Sequence, residues 1–157
     1  MIDISRDLPP LGHIGYVVEN VDANADMFRR TLGIEGFRVY DFVPLRAWTC
    51  GRKLSPCQLR IAIGSLKNDV KIELIQPVAG ATPHAQFLRD KGPGLHHAAF
   101  YTKQYEEWLD YFKRLGAEII FEAEAEDEII GYRRCCYAQV TGMVGIVKIT
   151  EIARKRT

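Results

Sequence analysis

The two halves of this chain are copies of one pattern, and that constrains its fold more than any other feature. Residues 12–37 open on Gly-His-Ile-Gly-Tyr-Val-Val, pass through Met-Phe-Arg-Arg-Thr-Leu-Gly and reach Phe37. Residues 96–121 open on His-His-Ala-Ala-Phe-Tyr-Thr, pass through Tyr-Phe-Lys-Arg-Leu-Gly and reach Phe121. With a one-residue gap, His13 lies over His97, Phe28 over Tyr111, and Leu32-Gly33 over Leu115-Gly116. Each half then closes on an apolar strand, around Ile72-Glu73-Leu74 and around Val147-Lys148-Ile149. A unit of about eighty residues used twice is too long for the repeat of a solenoid, so two related modules are expected.

Local signals give both modules the same order: one strand, one helix, then three strands. The first helix, 22–32, has Asn20 or Asp22 as N-cap and Gly33 as a C-terminal stop. Its counterpart sets Tyr105, Trp108, Leu109, Phe112 and Leu115 at helical spacing before Gly116, a stripe that reads as a core-facing surface. Runs of β-branched and aromatic residues predict strands at 12–18, 36–43, 58–64, 69–76, 95–102, 117–123, 131–139 and 144–151. Between the modules Thr82-Pro83 opens a short helix, and Gly92-Pro93-Gly94 closes it. No long linker separates the halves, so residues 1–157 read as one α+β domain with modules at about 11–77 and 95–152 sharing a sheet system.

Composition removes several classes of function. The 21 basic and 20 acidic side chains leave a net charge of +1, which gives nucleic acid no electrostatic hold. The basic cluster Arg154-Lys155-Arg156 reads as a solvated tail. An apolar share of 47% suffices for a packed core. No apolar run is long enough to span a membrane, and Met1 to Pro10 lacks the apolar stretch of a signal peptide. Cys50, Cys57, Cys135 and Cys136 contain no CxxC pair, and adjacent cysteines on a strand face opposite ways. Reduced thiols in a cytoplasmic protein are therefore expected, with no thiolate zinc site.

Strand alternation then selects a set of chemically useful side chains. On 12–18, His13, Gly15 and Val17 oppose Ile14, Tyr16 and Val18; on 95–102, His97 and Ala99 oppose His96, Ala98 and Phe100. On 69–76, Lys71, Glu73 and Ile75 oppose Val70, Ile72, Leu74 and Gln76. The bulky sets suit packing under the helices, which leaves His13, His97 and Glu73 on a concave side. Two imidazoles and a carboxylate converging there would suit a divalent first-row metal with open positions for water or substrate. Strand histidines are more often hydrogen-bonded structural residues, and the three positions form no local metal motif; their repeat-equivalent placement is what favours a ligand role. Elsewhere, His96 reads as a structural residue on the back face and His84 as exposed at a helix start. Tyr132, Arg133 and Arg134 read as a solvated run that could line a mouth for a phosphate or carboxylate. Cys50 and Cys57 carry no sign of a lowered pKa.

The stretches Leu11-Gly-His-Ile-Gly-Tyr-Val-Val18, Ile72-Glu-Leu-Ile-Gln-Pro77 and Phe87-Leu-Arg-Asp-Lys-Gly-Pro-Gly-Leu-His-His-Ala-Ala-Phe100 resemble the vicinal oxygen chelate superfamily, the glyoxalase I and bleomycin-resistance fold. Within it the likeness is closest to the methylmalonyl-CoA epimerases, over about residues 11–152. The resemblance implies two βαβββ modules forming a cupped mixed sheet, and usually a homodimer. It implies a metal held by one residue from each of four strands, with His13, Glu73 and His97 in the first three positions. The fourth position, a glutamate in the family, aligns with Lys148, and the further glutamate of the epimerases has no counterpart in Cys50-Gly-Arg-Lys-Leu-Ser-Pro-Cys-Gln58. Glu151 lies three residues on, facing the other way unless a bulge intervenes.

Three readings follow. In the first, His13, Glu73 and His97 bind zinc, cobalt, nickel, iron or manganese, and Lys148 and Glu73 serve catalysis. The reaction would be a metal-assisted isomerisation, epimerisation or lysis of a small carbonyl or carboxylate compound or its thioester. In the second, a metal-independent enzyme of this fold uses Lys148 and Arg or Tyr side chains for an anionic ligand. In the third, the chain only sequesters a small molecule.

Overall fold

The computed structural model describes residues 1–3, 7–128 and 131–153, so the tail Arg154-Lys155-Arg156 lies outside the described residues. The elements run β1 (Leu11–Val17), α1 (Val21–Leu32), β2 (Arg38–Phe42), β3 (Arg46–Thr49), β4 (Arg52–Lys53), β5 (Gln58–Ser65) and β6 (Lys71–Ala79). Then come α2 (Pro83–Lys91), β7 (Gly94–Tyr101), α3 (Tyr105–Arg114), β8 (Glu118–Asp127), β9 (Gly131–Gln139) and β10 (Ile146–Ala153). Apart from β3 and β4, the order is the βαβββ unit expected for each half.

Each helix starts where a side chain or a packing surface makes starting favourable. Asn20 caps α1 by accepting a hydrogen bond from the Ala23 N–H at 2.8 Å, and Gly33 ends it with φ 66, in the left-handed region. Thr82 caps α2 through Ala85, with Pro83 in the first turn. No side chain caps α3, which instead buries Tyr105, Trp108, Leu109 and Phe112.

Among the described residues the strands form one mixed sheet in the order β2-β5-β6-β1-β7-β10-β9-β8-β3-β4. The halves join where β1 pairs antiparallel with β7, while β1–β6 and β7–β10 are parallel. The sheet curls into a cup. Its concave side holds a core that includes Leu59, Ile61, Ile75, Phe121 and Tyr137. On the convex side α3 covers Cys136 and Ile149, and α1 covers Ile72 and Leu74. Cys135 and Cys136 thus face opposite sides, as alternation requires.

The hairpin of β3 and β4 differs from the sequence expectation, which left 44–57 without strands. Its turn places Cys50 at φ 48 and Gly51 at φ 76, the two left-handed central residues that a tight hairpin needs, without the usual Asn-Gly or Asp-Gly signal. Its stabilising partner is remote: β3 adds to β8 of the other half, with Ala47 opposite Ala123. Nothing local in the sequence specifies that pairing.

Three further expectations are corrected. His84 is fully buried rather than exposed, because α2 turns its first turn inward and lays the ring against Phe121 and Tyr137. His96 does not sit on the back face. Gly15 pairs with His97 and Tyr16 with Leu95, so His96 is the extra residue of a bulge, and its ring packs beside that of His97. Arg133 is not part of a solvated run: it is 9% exposed and lies over the rings of Tyr40 and Phe42.

Candidate metal centre

Four adjacent strands at the middle of the sheet, β6, β1, β7 and β10, each bring one polar side chain to a common centre, Glu73, His13, His97 and Lys148, and of these Glu73, His13 and Lys148 line the cup. The register makes them a two-fold related set. Glu73 pairs with Gly15, two residues beyond His13; Lys148 pairs with Ala99, two residues beyond His97. Lys148 is therefore the structural counterpart of Glu73. At Gly15 a Cβ atom would lie 2.1 Å from Cε1 of His97, so only glycine lets the ring cross β1 and reach the other ligand atoms.

All four groups are buried, at 2% exposure for each histidine, 3% for Glu73 and 7% for Lys148. His13 Nε2 lies 3.0 Å from Glu73 Oε2, His97 Nε2 lies 3.2 Å from the same oxygen, and the two Nε2 atoms are 3.1 Å apart. Metal–ligand bonds of about 2.0–2.2 Å set neighbouring ligand atoms between roughly 2.8 Å apart at right angles and 3.6 Å apart at the tetrahedral angle, and this triangle falls inside that range. Protonation states also suit a ligand role. Burial lowers the pKa of His13 and lowers that of His97 further, so both rings keep a lone pair near neutrality. Burial opposes ionisation of Glu73, but its close approach to His13 and Lys148 and the hydrogen bonds from both rings outweigh it, holding its pKa well below the usual range. Because the rings are neutral by their own burial, Lys148 is the standing counter-charge.

Lys148 Nζ donates to Glu73 Oε2 at 3.2 Å, stands 3.4 Å from His13 Nε2, and lies 5.1 Å from the centre of the Tyr137 ring. The lone pairs thus converge on a cation, and the ammonium stands at the fourth corner. The three-residue set fits a metal ion. A metal seated on it would require Lys148 either to leave that corner or to face the ion as a neutral amine.

Sequence reasoning missed the groups that orient the imidazoles. Tyr101 Oη lies 2.7 Å from His13 Nδ1, and His96 Nδ1 lies 3.0 Å from His97 Nδ1. Partners on the far ring nitrogens fix which nitrogen faces the centre. Tyr101 was legible in principle, since strand parity puts it on the face of His97 and Ala99; His96 was not, since no sequence signal marks the bulge. Above the centre the cup encloses about 70 Å³, walled by apolar side chains such as Leu59, Ile61 and Phe121, with Glu73 the one carboxylate among the described lining residues. Glu151 points away and accepts from Arg134 Nε at 2.6 Å, so it does not complete the set. Cys57 is buried, which pushes its thiol pKa up, and Cys50 lies outside the cup.

Comparison with known proteins agrees with this architecture. A family model described as Glyoxalase/Bleomycin resistance protein/Dioxygenase superfamily matches residues 12–137, and the chain belongs to that superfamily. The methylmalonyl-CoA epimerase of Mycobacterium tuberculosis has the same fold, with a TM-score of 0.69 at 17% identity over 98% of this chain and 93% of that one. A Streptomyces coelicolor methylmalonyl-CoA epimerase variant in complex with 2-nitronate-propionyl-CoA gives 0.65 at 18% identity, over 94% and 99%. A 4-hydroxymandelate synthase variant from Streptomyces coelicolor gives 0.60 at 14% identity, over 96% of this chain and 50% of that one. A Bacillus subtilis (strain 168) protein described as uncharacterized protein YqjC is 39% identical over 59 residues, 31% of this chain and 42% of that protein. The match therefore spans less than half the length of that relative. Among the described residues no helix is long and apolar enough to cross a membrane.

Proposed function

We propose that the chain is a metal-assisted isomerase, epimerase or lyase acting on a small carbonyl or carboxylate compound or its thioester. The observation that carries this reading is the buried triangle of His13, Glu73 and His97, of which His13 and Glu73 line the cup. A divalent metal held there would polarise a substrate oxygen and stabilise enolate-like charge. Tyr101 and His96 keep Nε2 of each ring aimed inward. The apolar walls exclude bulk water, which strengthens every charge interaction inside. Lys148 Nζ, beside Glu73 and His13, is placed to bind a substrate anion or to carry a proton to and from a carbon beside a carbonyl. A homodimer in the cytoplasm completes the reading.

A second reading has its own support. Lys148 already supplies a positive charge to the acceptor atoms, so an enzyme or binding protein of this fold could hold an anion with no metal at all. Elemental analysis separates the two. The first reading expects about one zinc, cobalt, nickel, iron or manganese per chain, lost in a His13→Ala, His97→Ala double variant. Metal-free protein that still retains a small acid supports the second. Incubating a 2-substituted carboxylic acid with the enzyme in deuterated water then tests turnover: deuterium at the α-carbon that disappears in Lys148→Met identifies an enzyme.

A further inference from the structure

The cup has a second polar level that the metal centre does not use. Along β10 the residues facing inward are Lys148, Thr150 and Ile152; β9 sets Tyr137 opposite Lys148 and Cys135 opposite Thr150. Thr150 is 6% exposed, lines the cup, and its Oγ1 has no hydrogen-bond partner among the described residues. Buried hydroxyls are nearly always hydrogen-bonded, because an unmet one carries the full cost of losing water; valine would fill the same space without that cost. The Thr150 Cβ projects toward the cup, so one step of χ1 aims the hydroxyl at a molecule bound there. The chemistry of the level selects its partner. Burial pushes the Cys135 thiol pKa up, so the pair of Thr150 and Cys135 is uncharged. A neutral hydroxyl meets a neutral oxygen at a lower desolvation cost than a charged one. Lys148, two residues along the same face, favours an electron-rich ligand atom, so the hydroxyl acts as the donor.

We propose that Thr150 is a specificity-determining residue of the cup, donating to a carbonyl oxygen of a short-chain oxo acid. The carboxylate of that acid lies at the Lys148 corner of the metal centre, its carbonyl lies level with Thr150, and its carbon chain runs along Ile61 and Phe121. Two residues along a strand span about 6.6–6.8 Å, which a chain of about five carbons with its oxygens covers. Size supports the assignment. At roughly 10–15 Å³ per water, a cavity of about 70 Å³ replaces some five to seven waters, room for a molecule of that length. The inference rests on the cup being the substrate site proposed above and names the second polar group of the substrate; it does not depend on which metal, if any, that site holds.

Calorimetric titration with 4-oxopentanoate, 2-oxopentanoate and pentanoate tests it, in the wild type, Thr150→Val and Thr150→Ser, with metal content measured on the same samples. The 4-oxo acid is expected to bind at least about fivefold more tightly than pentanoate, the worth of one net hydrogen bond. Thr150→Val should abolish that preference while moving pentanoate and 2-oxopentanoate by less than about twofold, and Thr150→Ser should restore it. A purely structural Thr150 would shift all three acids together, so a uniform change overturns the proposal. Equal binding of 4-oxopentanoate and pentanoate by the wild type overturns it too, as does a preference that survives Thr150→Val, or no binding of any of the three acids. If such a result comes from protein with a full complement of metal, the metal-assisted reading stands without the Thr150 role. A Thr150-dependent preference in metal-free protein refutes the metal-assisted reading and leaves the role standing.

Discussion

The two halves share a frame and differ at three equivalent places near the centre. The first half supplies Gly12, His13, Gly15 and Glu73; the second supplies His96, His97, Ala99 and Lys148. The equivalent histidines meet Nε2 to Nε2, so the duplication itself builds the site. The differences define its character. Glu73 and Lys148 form a pair of opposite charges 3.2 Å apart where a symmetric site would hold two carboxylates. Gly12 and Gly15 leave room on β1 for the rings of Tyr101 and His97, both from β7. One strand is thinned so that the other can carry the aromatic machinery.

Making the halves alike at the charged position should produce the largest effect. Lys148→Glu places a second carboxylate against Glu73 with no counter-charge. We expect the metal-free variant to lose about 3–5 kcal/mol of stability, the cost of an uncompensated buried charge. Zinc should restore its melting temperature and bind at least tenfold more tightly than in the wild type. Melting curves with and without zinc, followed by calorimetry, check both. Unchanged zinc affinity would mean that the β10 position is not a fourth corner, and the two-fold comparison would fail at its most important pair.

The doubled histidine of β7 gives a second way to test the asymmetry. Burial, reinforced by the Lys148 charge, lowers His96 from 6.5 to about 4. In the unfolded chain the group titrates at the ordinary value, so between pH 6.5 and 4 the unfolded state binds more protons than the folded one. Stability from this group is therefore full above pH 6.5, falls as the pH drops, and is lost by about pH 4. The difference between pH 7.5 and 4.5 amounts to roughly 2.5 kcal/mol from His96 alone. His84 and His97, both depressed further, act in the same direction. Urea denaturation at the two pH values should show the loss, and His96→Gln should flatten it; a variant with the full wild-type slope would show that His96 is not responsible.

The third test exchanges the small residues. Gly15→Ala drives a methyl group into the His97 ring and should cost about 1–3 kcal/mol while weakening zinc binding. Ala99→Gly, at the equivalent position on β7, adds only backbone freedom and should cost about 0.5–1 kcal/mol with zinc affinity unchanged. Equal effects on zinc affinity would remove the argument that Gly15 is kept for the ring that crosses it.

These comparisons also show what the sequence could disclose. Strand parity and the internal repeat were enough to bring His13, Glu73 and His97 to one face, because both follow from a period of two and a fixed offset between modules. Lys148 was found only by aligning the last strand with a known family; the register of β10 on β7 now gives that placement a physical form. What parity could not show was any residue placed by a break in parity. The bulge at His96 turned a back-face residue into a neighbour of His97 without altering the pattern of apolar residues around it. Arg133 and His84 were misjudged for a related reason: polar side chains on a strand and at a helix start read as solvated unless their distant partners are known. The β3–β4 hairpin was missed because it is short and is stabilised by the opposite half.

The helices repeat the contrast at a smaller scale. α1 buries only Val21, carries ion pairs from Asp26 to Arg29 and Arg30 on its exposed face, and depends on the Asn20 cap for a defined start. α3 has no side-chain cap and is held by its buried aromatic stripe. Asn20→Ala should therefore cost about 1 kcal/mol, the usual worth of a capping side chain, and increase amide exchange in the first turn of α1. Gln104→Ala at the start of α3 should change stability by less than about 0.5 kcal/mol. Denaturant midpoints for the two variants measure the difference directly. If Gln104→Ala proves as costly as Asn20→Ala, then burial does not hold the first turn of α3, and the two helices are fixed in the same way after all.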